Sequence, residues 1–124
     1  MSPFSHLIRT YREKRNLRQS DAAELLGYEQ SYLCGLETGS KGTPNAEFVE
    51  ILIKQYELSC EEVDVLMEML KQSNRRFTIP LKASCEEYKL VNNLKEQLGR
   101  LTATQINLMQ IALNLDTSTE ASHR

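Results

Sequence analysis

The sequence contains little of what marks secreted, metal-binding or disulfide-rich proteins. Its 124 residues include three cysteines, two histidines and no tryptophan. An odd number of widely spaced cysteines argues against a disulfide framework, and no CxxC pair or Cys/His spacing of a zinc site is present. We therefore expect reduced thiols, no metal and no cofactor. For Cys34 a second interpretation, an exposed redox-sensing thiol, stays open.

Long apolar runs and catalytic motifs are missing as well. No stretch approaches the ~20 apolar residues that span a bilayer, and residues 1–15 lack the apolar segment of a signal peptide. We therefore expect a cytoplasmic protein without a membrane segment. There is no glycine-rich phosphate-binding motif and no recognisable Ser-His-Asp or Cys-His set, so the sequence predicts a protein that is not an enzyme.

Charge is distributed unevenly along a chain whose formal net charge is −2. Residues 1–18 carry five basic side chains and one acidic side chain, whereas residues 19–39 carry four acidic side chains and no basic one. Residues 71–100 are basic again. A polyanion such as nucleic acid is bound by basic stretches and not by an acidic one. For residues 71–100, solvated helix faces remain an equally open interpretation.

Residues 19–39 predict two short helices joined by a tight turn. The first helix has a small apolar face, and Gly27 ends it in the left-handed conformation that glycine adopts at little cost. The second helix begins at Glu29 or Gln30, places two leucines three residues apart on one face, and ends at Gly39. Helix, glycine turn and helix make up a helix-turn-helix unit, in which the second helix enters the major groove of DNA.

The sequence resembles the XRE-type helix-turn-helix family, which includes Cro and the lambdoid phage repressors. The similarity extends over residues 4–70. It is carried by the positions Gln19, Ala23, Gly27, Leu33, Leu36, Glu37 and Gly39. The resemblance implies an all-α fold in which five helices form a repressor-like DNA-binding domain. Two positions depart from the family pattern: Glu29, where a better N-cap is commoner, and Gly35, where a long polar or basic side chain often contacts DNA.

The resemblance also implies roles for individual side chains. The predicted base-reading residues are Gln30, Ser31 and Tyr32, and Arg12 on the first helix is expected to form an ion pair with Glu37. The basic first helix and the loop after the motif add further candidates. The predicted phosphate-binding residues are Gln19, Thr38, Lys41, Arg12 and Arg15. Two of these roles have structural alternatives, because Tyr32 would also fit at the corner of the first two helices and Gln19 would also serve only as a cap.

The whole chain is expected to contain one domain, a linker and a helical extension. We predict the DNA-binding domain over residues 1–73, an extended linker or short edge strand over 74–83, a helical hairpin over 84–115 and a disordered tail over 116–124. Three helices are predicted to begin at capping boxes, in which two side chains satisfy each other's backbone N–H groups. These boxes are Ser59 with Glu62, Ser84 with Glu87, and Thr102 with Gln105.

The predicted hairpin over residues 84–115 is too apolar to stand alone. Its second helix is apolar on more than one face, and such a helix is buried from two sides. We expect either docking on the first domain or pairing of two subunits, which makes the hairpin the candidate dimerisation element. Its predicted interface side chains are Tyr88, Val91, Leu94, Leu98, Ile106, Met109 and Leu113.

The sequence therefore predicts a DNA-binding transcriptional regulator, a repressor that binds a palindromic operator as a homodimer. The alternative is a protein-interaction module or antitoxin-like regulator, whose helix-turn-helix domain works mainly through a protein partner. The acidic charge of residues 19–39 favours that alternative. The operator sequence, the regulated genes and the choice between repression and activation are left open.

Overall fold

The computed structural model describes residues 1–115, which form seven α-helices and no strand. The predicted all-α class is therefore confirmed. The chain divides into two compact units, Met1–Phe77 and Thr78–Arg124, and the division falls within residues 74–83. The predicted tail, 116–124, lies outside the described residues. The helices are α1 Pro3–Lys14, α2 Gln19–Leu26, α3 Gln30–Thr38, α4 Ala46–Gln55, α5 Cys60–Gln72, α6 Cys85–Gln97 and α7 Ala103–Leu113.

The predicted capping boxes begin α5, α6 and α7. In each box the Ser or Thr hydroxyl accepts the backbone N–H three residues on, and the Glu or Gln side chain accepts the backbone N–H of the cap. At Ser59 and Glu62 both hydrogen bonds measure 3.1 Å. The first four N–H groups of a helix have no partner within it, so these local signals place the helix starts without help from tertiary structure.

The core of the first unit forms around α1. This helix packs on α3 and α5, while α2 packs on α3 and α4. The backbone N–H of Phe4 donates to Ser73 Oγ at 2.9 Å, which ties the start of α1 to the end of α5. The largest apolar side chains that are fully buried are Phe4, Ile8, Leu33, Leu36, Phe48, Leu52 and Leu66.

The buried apolar faces of α2 and α5 are narrower than the sequence pattern suggests. Leu25 and Met67 fit the apolar stripes of α2 and α5, yet 42% and 52% of their surfaces are exposed. Each is the neighbour of a fully enclosed leucine, Leu26 or Leu66. Consecutive residues of an α-helix point about 100° apart, so a helix packed on one side buries one of the two and turns the other towards solvent.

Arg15 joins three helices of the first unit. Its guanidinium donates to the carbonyl oxygens of Tyr56 (2.9 Å) and Tyr11 (3.0 Å) and to the Glu62 carboxylate (3.3 Å). It also lies against the rings of Tyr11 and Tyr56, 5.6 and 5.3 Å from their centres. Burial raises the pKa of Tyr56 to about 12. Arg15 therefore acts as a structural residue that connects α1, α5 and the end of α4.

Glu62→Gln is expected to destabilise the protein at neutral pH and to have little effect in acid. Its pKa lies below the ordinary value of 4.5 because the carboxylate accepts the N–H of Ser59 and also lies near Arg15 and Lys14. A carboxylate with a lowered folded-state pKa stabilises the fold above its ordinary pKa. This contribution is lost as the pH falls through the folded value.

Urea unfolding of both proteins, from pH 7 down to the lowest pH at which the fold persists, measures this effect. Glutamine still suits the capping box, so the comparison isolates the charge. A stability difference that stays constant over the whole range would contradict the prediction.

The second unit buries little of its apolar surface. Neither α6 nor α7 contains a buried residue, and Gly99, with a φ of 91°, lies in the turn between them. A groove in this unit is lined mainly by Leu90, Leu94, Leu101, Leu108 and Met109. None of the helices in residues 1–115 is long and apolar enough to cross a membrane.

Candidate nucleic-acid interface

The helix-turn-helix unit is formed by α2, α3 and the residues between them. Gly27 has a φ of 78°, and its N–H and that of Tyr28 both donate to the Ala23 carbonyl, at 2.9 and 3.0 Å. Only glycine adopts this left-handed backbone cheaply, so the turn angle between the helices depends on it. Gly39, with a φ of 86°, ends α3 in the same way.

One face of α3 is buried in the core and the other is exposed to solvent. Leu33, Leu36 and Glu37 are buried against the other helices. Gln30 and Ser31, in the first turn, are exposed. A short rigid helix that presents polar side chains from its first turn has the geometry by which a recognition helix reads base edges.

An ion-pair network joins three helices beneath this face. Arg12 of α1 donates from Nε and Nη2 to the two carboxylate oxygens of Glu37, at 2.8 and 2.9 Å. Gln19 of α2 donates to the same carboxylate at 3.1 Å. Glu37 is 2% exposed. Its hydrogen bond raises the pKa of Arg12. The two-pronged contact between Arg12 and Glu37 ties α3 to α1.

This network changes which residues are free to contact phosphate. The remaining Arg12 donor group, Nη1, bonds the Leu17 carbonyl at 2.8 Å, and Arg15 is bonded within the protein as described above. Both guanidiniums are therefore hydrogen-bonded within the protein, and the proposed DNA contacts do not include them. Gln19 retains one amide hydrogen, because an NH₂ group carries two. Thr38, at the end of α3, and Lys41, in the loop that follows, are exposed.

Tyr32 lies in an aromatic cluster with Tyr28 and Phe48. Its ring stacks on Tyr28 at 5.2 Å and meets the edge of Phe48 at 5.8 Å. The aromatic partners of Tyr32 therefore come from the turn between α2 and α3 and from α4. Burial raises the pKa of Tyr32. The four-residue spacing of Tyr28 and Tyr32 is a visible sequence signal for this stack, whereas the contact with Phe48 depends on the fold.

Gly35 leaves room for the side chain of Lys41. A Cβ added at Gly35 would lie 2.7 Å from Lys41 Cγ and 3.2 Å from Cδ. The Lys41 chain therefore crosses α3 at this glycine and places Nζ 5.9 Å from the centre of the Tyr32 ring. The backbone N–H of Lys41 also donates to the Gly35 carbonyl at 3.1 Å. The departure from the family pattern at this position therefore gives α3 a basic group from the following loop.

Two of the four acidic side chains of residues 19–39 pair with arginines, one in the core and one at the exposed surface. Glu37 is buried against Arg12, and Asp21 pairs with Arg18 at 3.1 Å. The hydrogen bonds from Arg18 lower the pKa of Asp21. Glu24 and Glu29 are exposed and form no ion pair with any residue from 1 to 115. The surface of the motif is therefore less acidic than its sequence.

Comparison with known proteins identifies the same segment. A family model described as a helix-turn-helix domain matches residues 3–66, more than half of the chain. No curated protein and no solved structure matches the chain. The matched segment begins at the first residue of α1, contains α2, the turn, α3 and α4, and ends within α5.

Proposed function

Because this chain belongs to the helix-turn-helix domain family, we propose that it is a sequence-specific DNA-binding regulator of transcription that inserts α3 into the major groove. The observation that carries the proposal is the combination of a core-anchored α3 with exposed Gln30 and Ser31 in its first turn. A glutamine side chain can make two hydrogen bonds to an adenine edge, through N6 and N7, and so select that base.

The proposed phosphate contacts surround this helix. Lys41 supplies a charged donor beside α3, Thr38 a hydroxyl at the C-terminal end of α3, and Gln19 an amide at the start of α2. Phosphate contacts set the orientation of the protein on the duplex, and base contacts set the sequence. The rival interpretation, a protein-interaction or antitoxin-like module, relied on the acidity of residues 19–39. Glu37 is paired in the core and Asp21 is paired with Arg18 at the surface, which reduces that acidity and weakens the rival.

We further propose that the regulator is a homodimer that binds a palindromic operator and represses transcription by occupying a promoter. One α3 reads only a few base pairs, whereas two copies related by a two-fold axis read half-sites about 34 Å apart. The dimer element is the second unit. Eight large hydrophobic side chains between residues 88 and 115 are exposed, and pairing two α6–α7 hairpins into a four-helix bundle would cover them.

Selection from random-sequence duplex DNA, followed by a salt titration of the winning sequence, tests the proposal. We expect a palindromic sequence to be enriched, and its affinity to fall steeply as salt rises because counterions are released from the phosphates. The spacing of the half-sites gives the dimer geometry. If no sequence is enriched even at low salt, DNA binding is overturned and protein partners become the target of the search.

Gln30→Ala is expected to relax the base preference at one position of each half-site. The loss of a bidentate contact reduces discrimination there by about 1–3 kcal/mol. Competition binding with the selected operator and its single-base variants measures this change. Gln55→Ala, which removes an exposed glutamine at the end of α4, is the matched control. Equal weakening on all sequences would show that Gln30 does not read a base.

A further inference from the structure

A polar cavity outside the helix-turn-helix unit lies in the first unit, next to the loop that follows α3. It is an open cavity of about 600 Å³ between this loop and the segment after α5. Its lining residues are Gly42, Thr43, Asn74, Arg75 and Arg76. Two guanidiniums, an amide and a hydroxyl are thus present, and none of the residues from 1 to 115 adds a carboxylate to the lining. Neither the resemblance nor the predicted contact set assigns a role to these two arginines.

The hydrogen-bond donors that line this cavity have no partner within the described part of the chain. Neither Arg75 nor Arg76 forms a hydrogen bond or an ion pair with any residue from 1 to 115, in contrast to Arg12 and Arg15 of the same unit. The backbone N–H groups of Gly42 and Thr43 also donate to none of those residues. Guanidinium forks and free backbone N–H groups are the donors that proteins use to hold phosphate oxygens.

The position of the cavity relates it to the proposed DNA surface. Lys41 lies against Tyr32 of α3, and the lining begins at the next residue of the chain. Two residues of extended backbone, from Lys41 to Thr43, reach at most about 7 Å. The backbone that lines the cavity on this side therefore lies within about 7 Å of the Lys41 backbone.

We propose that Arg75 and Arg76, with the N–H groups of Gly42 and Thr43, bind a backbone phosphate of duplex DNA beside the one at Lys41. This inference rests on the proposed DNA binding and adds a contact from outside the helix-turn-helix unit. The segment after α5 then acts as a clamp on the DNA strand that flanks the recognition helix. Such a contact adds affinity and fixes orientation, and it carries no base preference.

The test is a salt titration of the full chain on a duplex of random sequence, which requires no knowledge of the operator. Arg75→Ala/Arg76→Ala is expected to reduce the magnitude of the slope of log K against log salt by about 0.9 per bound protomer, the value for one phosphate. Arg75→Lys/Arg76→Lys retains the charges and is expected to keep the slope. Lys54→Ala, which removes an exposed charge at the opposite end of α4, is the control for general electrostatics.

The outcomes separate the two proposals. A slope for Arg75→Ala/Arg76→Ala that equals that of the Lys54→Ala control overturns the clamp and leaves DNA binding intact. A wild-type chain that binds no duplex at low salt overturns DNA binding itself, and the clamp with it. In the expected case, amide NMR signals of Gly42 and Thr43 also shift when a short duplex is added. Matching thermal melts of all variants show that the fold is unchanged.

Discussion

Arg12→Ala is expected to lower the free energy of unfolding by about 3–5 kcal/mol, because removing one partner leaves a buried charge without compensation. The charge in question is Glu37, which is 2% exposed and receives two hydrogen bonds from Arg12. After the substitution its main remaining donor is Gln19. Since the sequence contains no tryptophan, urea unfolding followed by circular dichroism is the suitable measurement.

Two further variants make this prediction specific to the buried pair. Arg9→Ala removes an arginine of the same helix, whose contact with Glu13 is exposed and 3.8 Å long. Exposed pairs contribute only about 0–1 kcal/mol, so this control is expected to behave almost like the wild type. In Arg12→Met/Glu37→Leu both charges are absent, and much of the stability is expected to return. If Arg12→Ala costs no more than Arg9→Ala, the network does not hold α3 in place.

Ile106→Asp/Leu113→Asp is expected to convert the proposed homodimer to a monomer, with at least a 100-fold rise in the dimer dissociation constant, or about 2.7 kcal/mol. The two side chains lie seven residues apart on one face of α7 and are 44% and 75% exposed. Their replacement removes little from the protomer's own packing. Burying two carboxylates in an apolar interface is costly, whereas leaving them in water is not.

Sedimentation at several concentrations measures the dissociation constant, and binding to the selected palindrome reports its consequence. Asn107→Asp adds a charge at an exposed position between the two sites and is expected to leave the dimer intact. Deletion of residues 84–124 is expected to give a monomer with weak operator binding. A truncated chain that still sediments as a dimer would place the interface in the first unit.

The sequence predicted the helix-turn-helix unit well because its signals are local. Gly27 and Gly39 mark the ends of α2 and α3 through their backbone conformation. The capping boxes mark the starts of α5, α6 and α7 through side chains three residues apart. Such signals involve only neighbouring residues, so they can be read without knowing how the helices pack.

The candidate site could be predicted only in part, because free and committed side chains look alike in a sequence. Arg12, Arg15 and Arg75 have the same chemistry, yet the first two are bonded inside the first unit and the third lines an open cavity. Tyr32 follows Gln30 and Ser31 in the chain, but its partner Phe48 comes from another helix. Residues far apart in the chain decide each of these outcomes.

The sequence by itself therefore determined the all-α class and the helix ends, because local hydrogen bonding and helical periodicity specify them, and its resemblance to a known family indicated which residues begin the recognition helix. The tertiary structure decided which charged side chains remain free to bind a polyanion such as DNA. In the folded chain, Glu37 is buried against Arg12, Arg15 joins three helices, and the Lys41 side chain crosses α3 at Gly35. The net charge of a stretch of sequence is the sum of its charged residues. The charge that a ligand encounters depends instead on which of those residues the fold pairs with an opposite charge within a few ångströms.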